Sequence, residues 1–319
     1  MKILPYDIFR LHVWWNKGFR DALKLHNKIP FDIIHAHDLD TLPIGVKLKI
    51  KLDIPLIYDA HEIWGYLISN YLPKPWANYY LKKERNLLKN VDQIITVNKP
   101  LKDYFQRISN KPVSIIMNCK PLNEVRYKPP KNDKFTLLYL GSLGPSRFLL
   151  ELAEKVEELS DVQCIIAGRG KKEFVSRLQD KCSTIENVDF IGLITMDEVI
   201  SKTKNADAVV CMTNPGDPNN SIATANKQFE AMVCGRPVIC TNGTYPGVFT
   251  EENKCGLVSK YTKEDLKNTI LKLKDNPELC EELGKNALKA AINQYNWGKQ
   301  EVKLNEIYKK FNTFSSKDQ

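Results

Sequence analysis

The chain has 319 residues, of which 43% are hydrophobic and 27% are charged. This composition is ordinary for globular proteins and excludes a disordered or fibrous chain. The length accommodates about two domains. The formal net charge of +9 fits either a lysine-rich solvated surface or contact with anionic ligands and membranes. No motif of a nucleic-acid-binding fold accompanies this charge, so we expect no nucleic-acid partner.

Signals of membrane insertion and export are missing from the sequence. No apolar run reaches the roughly 18 residues that a transmembrane helix needs, and the first residues lack the apolar core of a signal peptide. Eight cysteines occur without a CxxC pair, several of them inside apolar runs, such as Cys164, Cys211 and Cys240. This usage indicates reduced thiols in a core, and we therefore expect a cytoplasmic protein.

Short β-branched apolar runs alternate with amphipathic stretches along the chain, a pattern typical of parallel α/β sheets. In the first half, strands are predicted at residues 32–35, 55–58, 93–97 and 113–117, and helices at 41–52, 74–90 and 99–107. In the second half, strands are predicted at 135–139, 163–167, 188–191, 208–212, 237–240 and 256–258. Helices are predicted there near 146–159, 171–181, 196–204, 226–234, 262–275, 277–295 and 299–311.

Residues 119–133 are polar, contain prolines and separate two predicted strands without helical periodicity. We therefore expect two doubly wound parallel-sheet domains, at residues 1–120 and 121–300, followed by a C-terminal helix at 301–319. Ligands of such sheets bind beyond the carboxyl ends of the strands. The loops that follow the strands are therefore the places to look for functional side chains.

The segment 226–240 predicts a helix, a glycine stop and a buried strand. Lys227 and Glu230 are three residues apart, so both lie on one helical face near its N-terminus. A cation and helix amides suit a phosphate, and a carboxylate suits two ribose hydroxyls. An ordinary surface ion pair between the two side chains fits the same spacing equally well.

This segment resembles the donor-binding element of the retaining glycosyltransferases of family 4, in which an Asn-Lys-x-x-Glu-Ala-Met-x-x-Gly-x-Pro-Val stretch binds a nucleotide sugar. The resemblance covers nearly the whole chain and implies the GT-B fold, two Rossmann-like domains that face a cleft. It implies that Glu230 holds the nucleotide ribose and that Lys227 lies near the donor phosphates or sugar. It also implies that the C-terminal helix crosses back to the first domain.

One departure from the family concerns a second acid. The family usually carries another Glu eight residues before the one that corresponds to Glu230, and here that position is Ile222. The preceding loop, residues 214–221, could instead offer backbone amides and Asp217 to the donor sugar.

Two glycine-containing junctions follow predicted strands. The first runs from Gly141 to Arg147, and the second contains Gly168. Such junctions bring backbone N–H groups close to an anion, although they are also common structural turns. Both resemble loops of the family that contact the donor diphosphate and base, and Arg147 stands about where the family has a phosphate-binding Lys. Arginine can hold phosphate bidentately, so the resemblance assigns Arg147 to the diphosphate.

Histidine clusters end two strands of the first half. His35 and His37 precede Asp38, and His61 precedes Glu62. A metal site, structural histidines and an active-site cluster are all compatible with these runs. No third ligand follows at a suitable spacing, and we therefore expect no metal. By resemblance, His61 would contact the reacting sugar or the acceptor, and Asp38 and Glu62 would help to position it.

The family normally begins with a further strand and a Gly-Gly loop, which this sequence lacks. We therefore expect either a start that is set downstream of the true one or a shortened N-terminal domain. The tract from Ile8 to Phe19, with Trp14 and Trp15, fits either a helix or a membrane-facing patch that includes Arg10, Lys17 and Arg20.

The resemblance implies transfer of a hexose, with retention, from a UDP- or GDP-linked sugar to a glycan, lipid-linked or polysaccharide acceptor. We expect no metal or other cofactor, and peripheral contact with the inner face of the membrane is compatible with the charge. The alternative is a catalytically weak nucleotide-sugar-binding or partner subunit, which the missing acid and the short N-terminal domain favour.

Overall fold

The computed structural model describes residues 5–69, 72–122 and 125–312, without the side chains of residues 5–10, 12 and 312. The chain divides into two compact units. Unit 1 consists of Met1–Met117 with Glu301–Gln319, and unit 2 consists of Asn118–Gln300. The boundary thus lies three residues before the expected one, and residues 301–319 group with unit 1.

Unit 1 contains a four-stranded parallel sheet. Its strands are β1 (Ile34–His37), β2 (Leu56–Ala60), β3 (Gln93–Thr96) and β4 (Val113–Ile115), in the order β1-β2-β3-β4. Its helices are α1 (Pro5–Lys28), α2 (Asp38–Leu52), α3 (Trp64–Ser69), α4 (Lys74–Leu87) and α5 (Lys99–Ile108), with a 3₁₀ turn at Leu88–Asn90.

The strands of unit 1 are apolar because both faces of a parallel sheet are normally covered. All four residues of β3 are buried. Ile57 and Ile95 form one buried cluster with Ile116 and with Ile307, which belongs to the last helix of the chain. That helix therefore supplies part of the core of unit 1.

Unit 2 contains a six-stranded parallel sheet in the order β10-β9-β8-β5-β6-β7. Its strands are β5 (Phe135–Leu143), β6 (Val162–Gly170), β7 (Val188–Gly192), β8 (Ala208–Cys211), β9 (Val238–Thr241) and β10 (Gly256–Ser259). The helices from here on are α6 (Leu149–Glu157), α7 (Lys172–Cys182), α8 (Met196–Asn205), α9 (Pro218–Ile222), α10 (Asn226–Val233), α11 (Tyr245–Glu252), α12 (Lys263–Lys274), α13 (Pro277–Asn293) and α14 (Trp297–Asn312), with a 3₁₀ turn at Pro145–Arg147.

The strand order creates a switch point between β5 and β8. These two strands are neighbours, while β6 lies on the far side of β5 and β9 lies on the far side of β8. The loops that leave β5 and β8 therefore run in opposite directions and open a crevice, which is where doubly wound sheets bind ligands. The fold thus points to the segments after Leu143 and Cys211 as the functional edge of unit 2.

The α/β class with two parallel sheets is confirmed, and every predicted strand is present. β5 and β6 differ from the prediction because they continue through their glycines instead of ending before them. Gly141 and Gly168 face each other in the sheet register. A Cβ atom on Gly168 would lie 1.7 Å from the carbonyl oxygen of Gly141. These glycines therefore allow the two strands to approach closely. The sequence analysis had placed them in the loops after the strands instead.

Three helices were not predicted, α3, α9 and α11, and α1 was one of two alternatives for its tract. With six and five residues, α3 and α9 are too short to show helical periodicity. In α1, the adjacent tryptophans divide between core and solvent, since Trp15 is 3% exposed and Trp14 is 45% exposed. The indole of Trp15 donates a hydrogen bond to the carbonyl oxygen of Asp40 at 2.6 Å. The tract is thus a helix with Trp15 packed inside; the side chain of Arg10 lies outside the described part.

Candidate functional site

Lys227 lies beside the end of β5. Its ammonium is 3.5 Å from the centre of the Tyr139 ring and 3.6 Å from the position that a Cβ atom on Gly141 would occupy. The aromatic face attracts the cation, and the absence of a side chain at Gly141 leaves room for it. Helix α10 therefore places a positive charge directly over the glycine that the sequence analysis assigned to the diphosphate.

Glu230 is 9% exposed, and its carboxylate lies 3.2 Å from the ammonium of Lys120. The backbone oxygen of Lys120 accepts a hydrogen bond from the amide of Trp297 at 3.0 Å. The interpretation of residues 227 and 230 as a surface ion pair is therefore not what the structure shows, because the two side chains contact different partners. A buried carboxylate needs such a counter-ion to stay charged.

Arg147 ends the 3₁₀ turn that follows β5, and its amide donates to the carbonyl oxygen of Gly144 at 3.0 Å. The carbonyl oxygen of Ser146 accepts from the amide of Asn214 at 2.9 Å. This hydrogen bond joins the loop after β5 to the loop after β8. Arg147 thus belongs to a loop that is hydrogen-bonded to the neighbouring loop at the switch point.

The pKa of the buried Cys211 thiol, at the end of β8, is influenced by the charges of Lys227, Arg147 and Glu230. A hydrogen bond from the Cys240 thiol lowers the pKa of Cys211, and the positive charges of Lys227 and Arg147 lower it further, whereas Glu230 raises it. The three side chains are therefore within electrostatic reach of the same strand end. Of the residues that the resemblance assigned to the donor, Lys227 lies against Tyr139 and Gly141 at the end of β5. The roles of Arg147, Lys227 and Glu230 stay predictions.

Asp217 has a structural role. Its Oδ1 atom accepts hydrogen bonds from the amides of Asn219 at 2.9 Å and Asn220 at 3.2 Å, so it caps the N-terminus of α9. Ile222, at the position of the family's usual acid, is the last residue of this helix and is half-buried. The suggested contact between Asp217 and a donor sugar stays a prediction, and it would have to coexist with the cap.

Two polar side chains near this loop were missed by the sequence analysis. The hydroxyl of Thr213 and the amide nitrogen of Asn220 are buried, and neither has a hydrogen-bond partner among the described residues. Unsatisfied buried polar groups are costly and uncommon in native proteins. The only signal in the sequence was their position after a buried strand, which also holds for many residues without a function.

In unit 1, Asp59 lies among three imidazoles at the carboxyl ends of β1 and β2. Its Oδ2 atom is 3.2 Å from His35 Nε2 and 3.4 Å from His37 Nδ1, and its Oδ1 atom is 3.5 Å from His61 Nε2. The sheet register sets this arrangement, since His37 is paired with Asp59. Asp59 was absent from the predicted site, although it precedes His61 by two residues and so shares its side of an extended chain.

Charge stabilises the cluster around Asp59. Burial raises the pKa of Asp59, but hydrogen bonds from His35 and His61 outweigh it and hold that pKa well below its usual range. The hydrogen bond with Asp59 in turn raises the pKa of His61, while burial lowers the pKa of His37. The site is therefore an ionised carboxylate surrounded by imidazoles of unequal basicity.

The other predicted residues of unit 1 surround this cluster. Asp38 has a positive φ of 54°, and its Oδ1 atom accepts a hydrogen bond from the amide of His61 at 2.9 Å. Burial raises the pKa of the Asp38 carboxyl. Glu62 follows His61 in the loop after β2 and is half-buried. Asp38 thus holds the backbone that carries His61.

Glu84 is a second feature that the sequence analysis missed. It is fully buried on α4, and its Oε1 atom accepts a hydrogen bond from the Tyr58 hydroxyl at 2.6 Å. Its Oε2 atom has no partner among the described residues. Burial raises the pKa of Glu84 to about 7, so this carboxyl is held partly neutral behind the histidine cluster.

Two family models together span most of the chain. The model for glycosyl transferases group 1 matches residues 123–290, more than half of the chain, and the model for glycosyltransferase family 4 matches residues 2–122. This chain is a family 4 glycosyltransferase. The resemblance that residues 226–240 suggested is confirmed, and the GT-B fold with it.

Similar proteins agree with this assignment. An uncharacterized glycosyltransferase of Methanocaldococcus jannaschii is 25% identical over 96% of this chain and 88% of its own length. Among solved structures, sucrose-phosphate synthase of Thermosynechococcus elongatus matches with a TM-score of 0.78 at 18% identity, over 95% of this chain and 78% of that one. Anabaena HepE in complex with UDP-glucose matches with a TM-score of 0.76 at 16% identity, over 92% and 82%.

In the described part of the family 4 glycosyltransferase, no helix has the length and apolar character needed to cross a bilayer. The cysteines are all free thiols, and all but Cys280 are buried.

Proposed function

We propose that this glycosyltransferase moves a hexose from a nucleotide-diphosphate sugar to a glycan, lipid-linked or polysaccharide acceptor, with retention of the anomeric configuration. The observation that carries the proposal is the position of Lys227, whose ammonium lies over the Tyr139 ring and beside Gly141 at the end of β5. A cation beside Gly141 of β5 and an arginine in the turn that follows β5 suit a diphosphate, and a buried carboxylate suits the hydroxyls of a ribose.

The two cations serve the departing diphosphate. When the bond between the sugar and the diphosphate breaks, negative charge grows on the phosphate oxygens. Cations that are already in place stabilise this charge more than water can, because they need no reorganisation. Lys227 is held over Tyr139, and Arg147 can bind two phosphate oxygens at once. On this proposal the diphosphate needs no metal ion.

Glu230 serves the nucleoside half of the donor. Its carboxylate accepts hydrogen bonds from the two ribose hydroxyls, and the ammonium of Lys120 lies 3.2 Å from it. A UDP- or a GDP-sugar fits this arrangement. HepE of Anabaena, which has the same fold, was solved with UDP-glucose, and this supports a uridine donor as the first to test.

The residues of unit 1 serve the reacting sugar and the acceptor. On this proposal His61 contacts the substrate, Asp38 and Glu62 help to orient it, and Asp59 positions the His61 ring through its Oδ1 atom. Retention of configuration follows from the likeness to the retaining family 4 enzymes. Eight free thiols support a cytoplasmic location, and the net charge of +9 supports contact with the anionic inner face of a membrane.

A second candidate function is a nucleotide-sugar-binding partner with weak turnover. It is favoured by Ile222 in place of an acid and by Asp217, whose carboxylate caps α9. Asp217→Ser retains a capping oxygen without the charge, whereas Asp217→Ala removes both. If the carboxylate contacts the donor sugar, both variants lose turnover; if it acts only as a cap, the serine variant retains turnover.

The two functions separate in one experiment. The protein is incubated with UDP- and GDP-hexoses, with and without lipid-linked and polysaccharide acceptors, and release of the nucleoside diphosphate is measured. We expect release that falls at least tenfold in Arg147→Ala and stays unchanged in Arg177→Ala, a variant at an exposed arginine of α7. Nucleotide binding without release from any donor would overturn the transferase proposal and leave the binding function.

A further inference from the structure

We propose that His35, His37 and Asp59 together bind one divalent transition-metal ion of the Zn²⁺ class. The ligand atoms are the imidazole nitrogens of the two histidines and a carboxylate oxygen of Asp59, and all of them lie within 4.8 Å of one another. Two imidazoles and one carboxylate form a ligand set that Zn²⁺ and Co²⁺ accept. The sequence analysis set a metal aside because no third ligand followed along the chain, whereas the fold supplies one from the next strand.

The spacing of the ligand atoms suits a tetrahedral ion. His35 Nε2 is 3.2 Å and His37 Nδ1 is 3.4 Å from Asp59 Oδ2. Around a tetrahedral ion with metal–ligand distances of about 2.0–2.1 Å, neighbouring ligand atoms are roughly 3.3 Å apart. The contact of His35 therefore already has the length of an edge of such a tetrahedron, and that of His37 is close to it before its ring turns.

The sheet holds the three ligands on one side. His35 and His37 are two residues apart on β1, so their side chains leave the same face of the strand. β2 is hydrogen-bonded to β1, and its Asp59 is paired with His37. Sites built on strands are more precise than sites built on loops.

Second contacts orient the ligands. The hydroxyl of Tyr308 is hydrogen-bonded to His35 Nδ1. Nε2 is then the ring nitrogen of His35 that faces Asp59, at 3.2 Å. It is hydrogen-bonded to the carboxylate without a metal, and it would give its lone pair to the ion when one binds. His61 contacts the other oxygen of the carboxylate and so leaves Oδ2 available. Such partners are typical of metal-ligating histidines and carboxylates.

One side chain must turn for the ion to enter. The rings of His35 and His37 are stacked, with centroids 4.5 Å apart and planes within 7°, whereas a metal lies in the plane of each ring that binds it. The His37 side chain is 59% exposed, so its ring has room on the solvent side to rotate about the bond between Cβ and Cγ. With three protein ligands, the fourth position is left to water or to another small ligand.

The proposed ligands belong to unit 1 and share Asp59 with the residues proposed for the acceptor side, whereas Arg147, Lys227 and Glu230 belong to unit 2. Binding of the ion is tested without any sugar or activity assay. A failure of this inference therefore leaves the proposed donor residues, which are tested by nucleotide binding, unaffected.

The test is titration of the chelator-treated, full-length protein with Co²⁺, followed by visible absorption, and displacement of Co²⁺ by Zn²⁺. We expect one equivalent of Co²⁺ with the intense absorption of a four-coordinate ion. His37→Ala removes an exposed ligand without disturbing the core, and we expect its affinity to fall at least tenfold. Tyr308→Phe removes only the orienting hydroxyl, and we expect a loss of about tenfold.

His26→Ala is the matched control, since His26 lies on α1 and accepts a hydrogen bond from the amide of Phe31; its affinity should equal that of the wild type. The inference is overturned if the wild type binds neither ion at micromolar concentrations. It is equally overturned if His37→Ala binds Co²⁺ as tightly, and with the same spectrum, as the wild type.

Discussion

The carboxylate of Glu230 lies 3.2 Å from the ammonium of Lys120, a residue near the start of unit 2. One helical turn earlier, Lys227 points instead to the ring of Tyr139. Lys227 and Glu230, which look like an ion pair in the sequence, are thus separated. Lys227 lies beside Gly141 near the end of β5, and Glu230 lies beside Lys120. Because of this separation, Lys227 is available to bind phosphate and Glu230 is available to bind ribose hydroxyls, as proposed above.

Close approach of β5 and β6 makes Gly168 irreplaceable. A Cβ atom there would lie 1.7 Å from the oxygen of Gly141, and the φ angle of 147° is one that other residues rarely adopt. We expect Gly168→Ala to lower the free energy of unfolding by roughly 2–5 kcal/mol, from overpacking and backbone strain. Denaturant unfolding measures the change.

Gly144→Ala is the control for this prediction. Gly144 has extended backbone with a φ of −168°, and no atom lies within 4 Å of the position of its Cβ. Its variant should unfold with nearly the free energy of the wild type. Equal stability of the two alanine variants would show that the glycine pair does not constrain the strands.

Arg147 is predicted to recognise the diphosphate and not the nucleoside. Arg147→Ala should weaken the binding of UDP by about 1.5–3 kcal/mol, roughly 10- to 150-fold in Kd, which is the scale of a lost hydrogen bond to a charged group. The binding of uridine should not change. Calorimetric titration with both ligands provides the comparison, and an equal loss for uridine would place Arg147 elsewhere in the site.

The buried Glu84 predicts a dependence of stability on pH. Burial raises the pKa of Glu84 to about 7 from an ordinary value of 4.5. The folded state therefore favours the protonated form of Glu84. The contribution of this preference to the free energy of unfolding is fully present below pH 4.5 and is lost as the pH rises through 7. Glu84→Gln keeps an oxygen for the Tyr58 hydroxyl and removes the ionisation.

Unfolding of both proteins at pH 5 and pH 8 tests this prediction. Relative to the wild type, Glu84→Gln should gain roughly 2.5 kcal/mol of stability between the two pH values, at about 1.4 kcal/mol for each pKa unit. The exposed Glu186 offers the control variant Glu186→Gln, which should show no such gain. If the free energies of unfolding of Glu84→Gln and the wild type differ by the same amount at both pH values, the raised pKa of Glu84 is contradicted.

Strands and long helices could be predicted from the sequence because apolar periodicity records which faces are buried. Lys227, Glu230 and Arg147 could be proposed for the donor because they lie within motifs of contiguous sequence, and their roles stay predictions. The role of Asp59 could not be predicted, since it depends on the strand register that pairs Asp59 with His37. The register between two strands cannot be read from a single sequence. Lys120 was missed for the same reason, because its partner is 110 positions away.

The central claim is that the switch point of unit 2 binds the nucleotide of a sugar donor through Glu230. The affinity of Glu230→Ala for UDP and GDP tests this claim most directly, with Glu186→Ala as the control for loss of an exposed carboxylate. We predict that the Glu230 variant binds the nucleotides about 1–3 kcal/mol more weakly, because the ribose hydroxyls lose their buried acceptor. An affinity equal to that of the wild type would contradict the assignment.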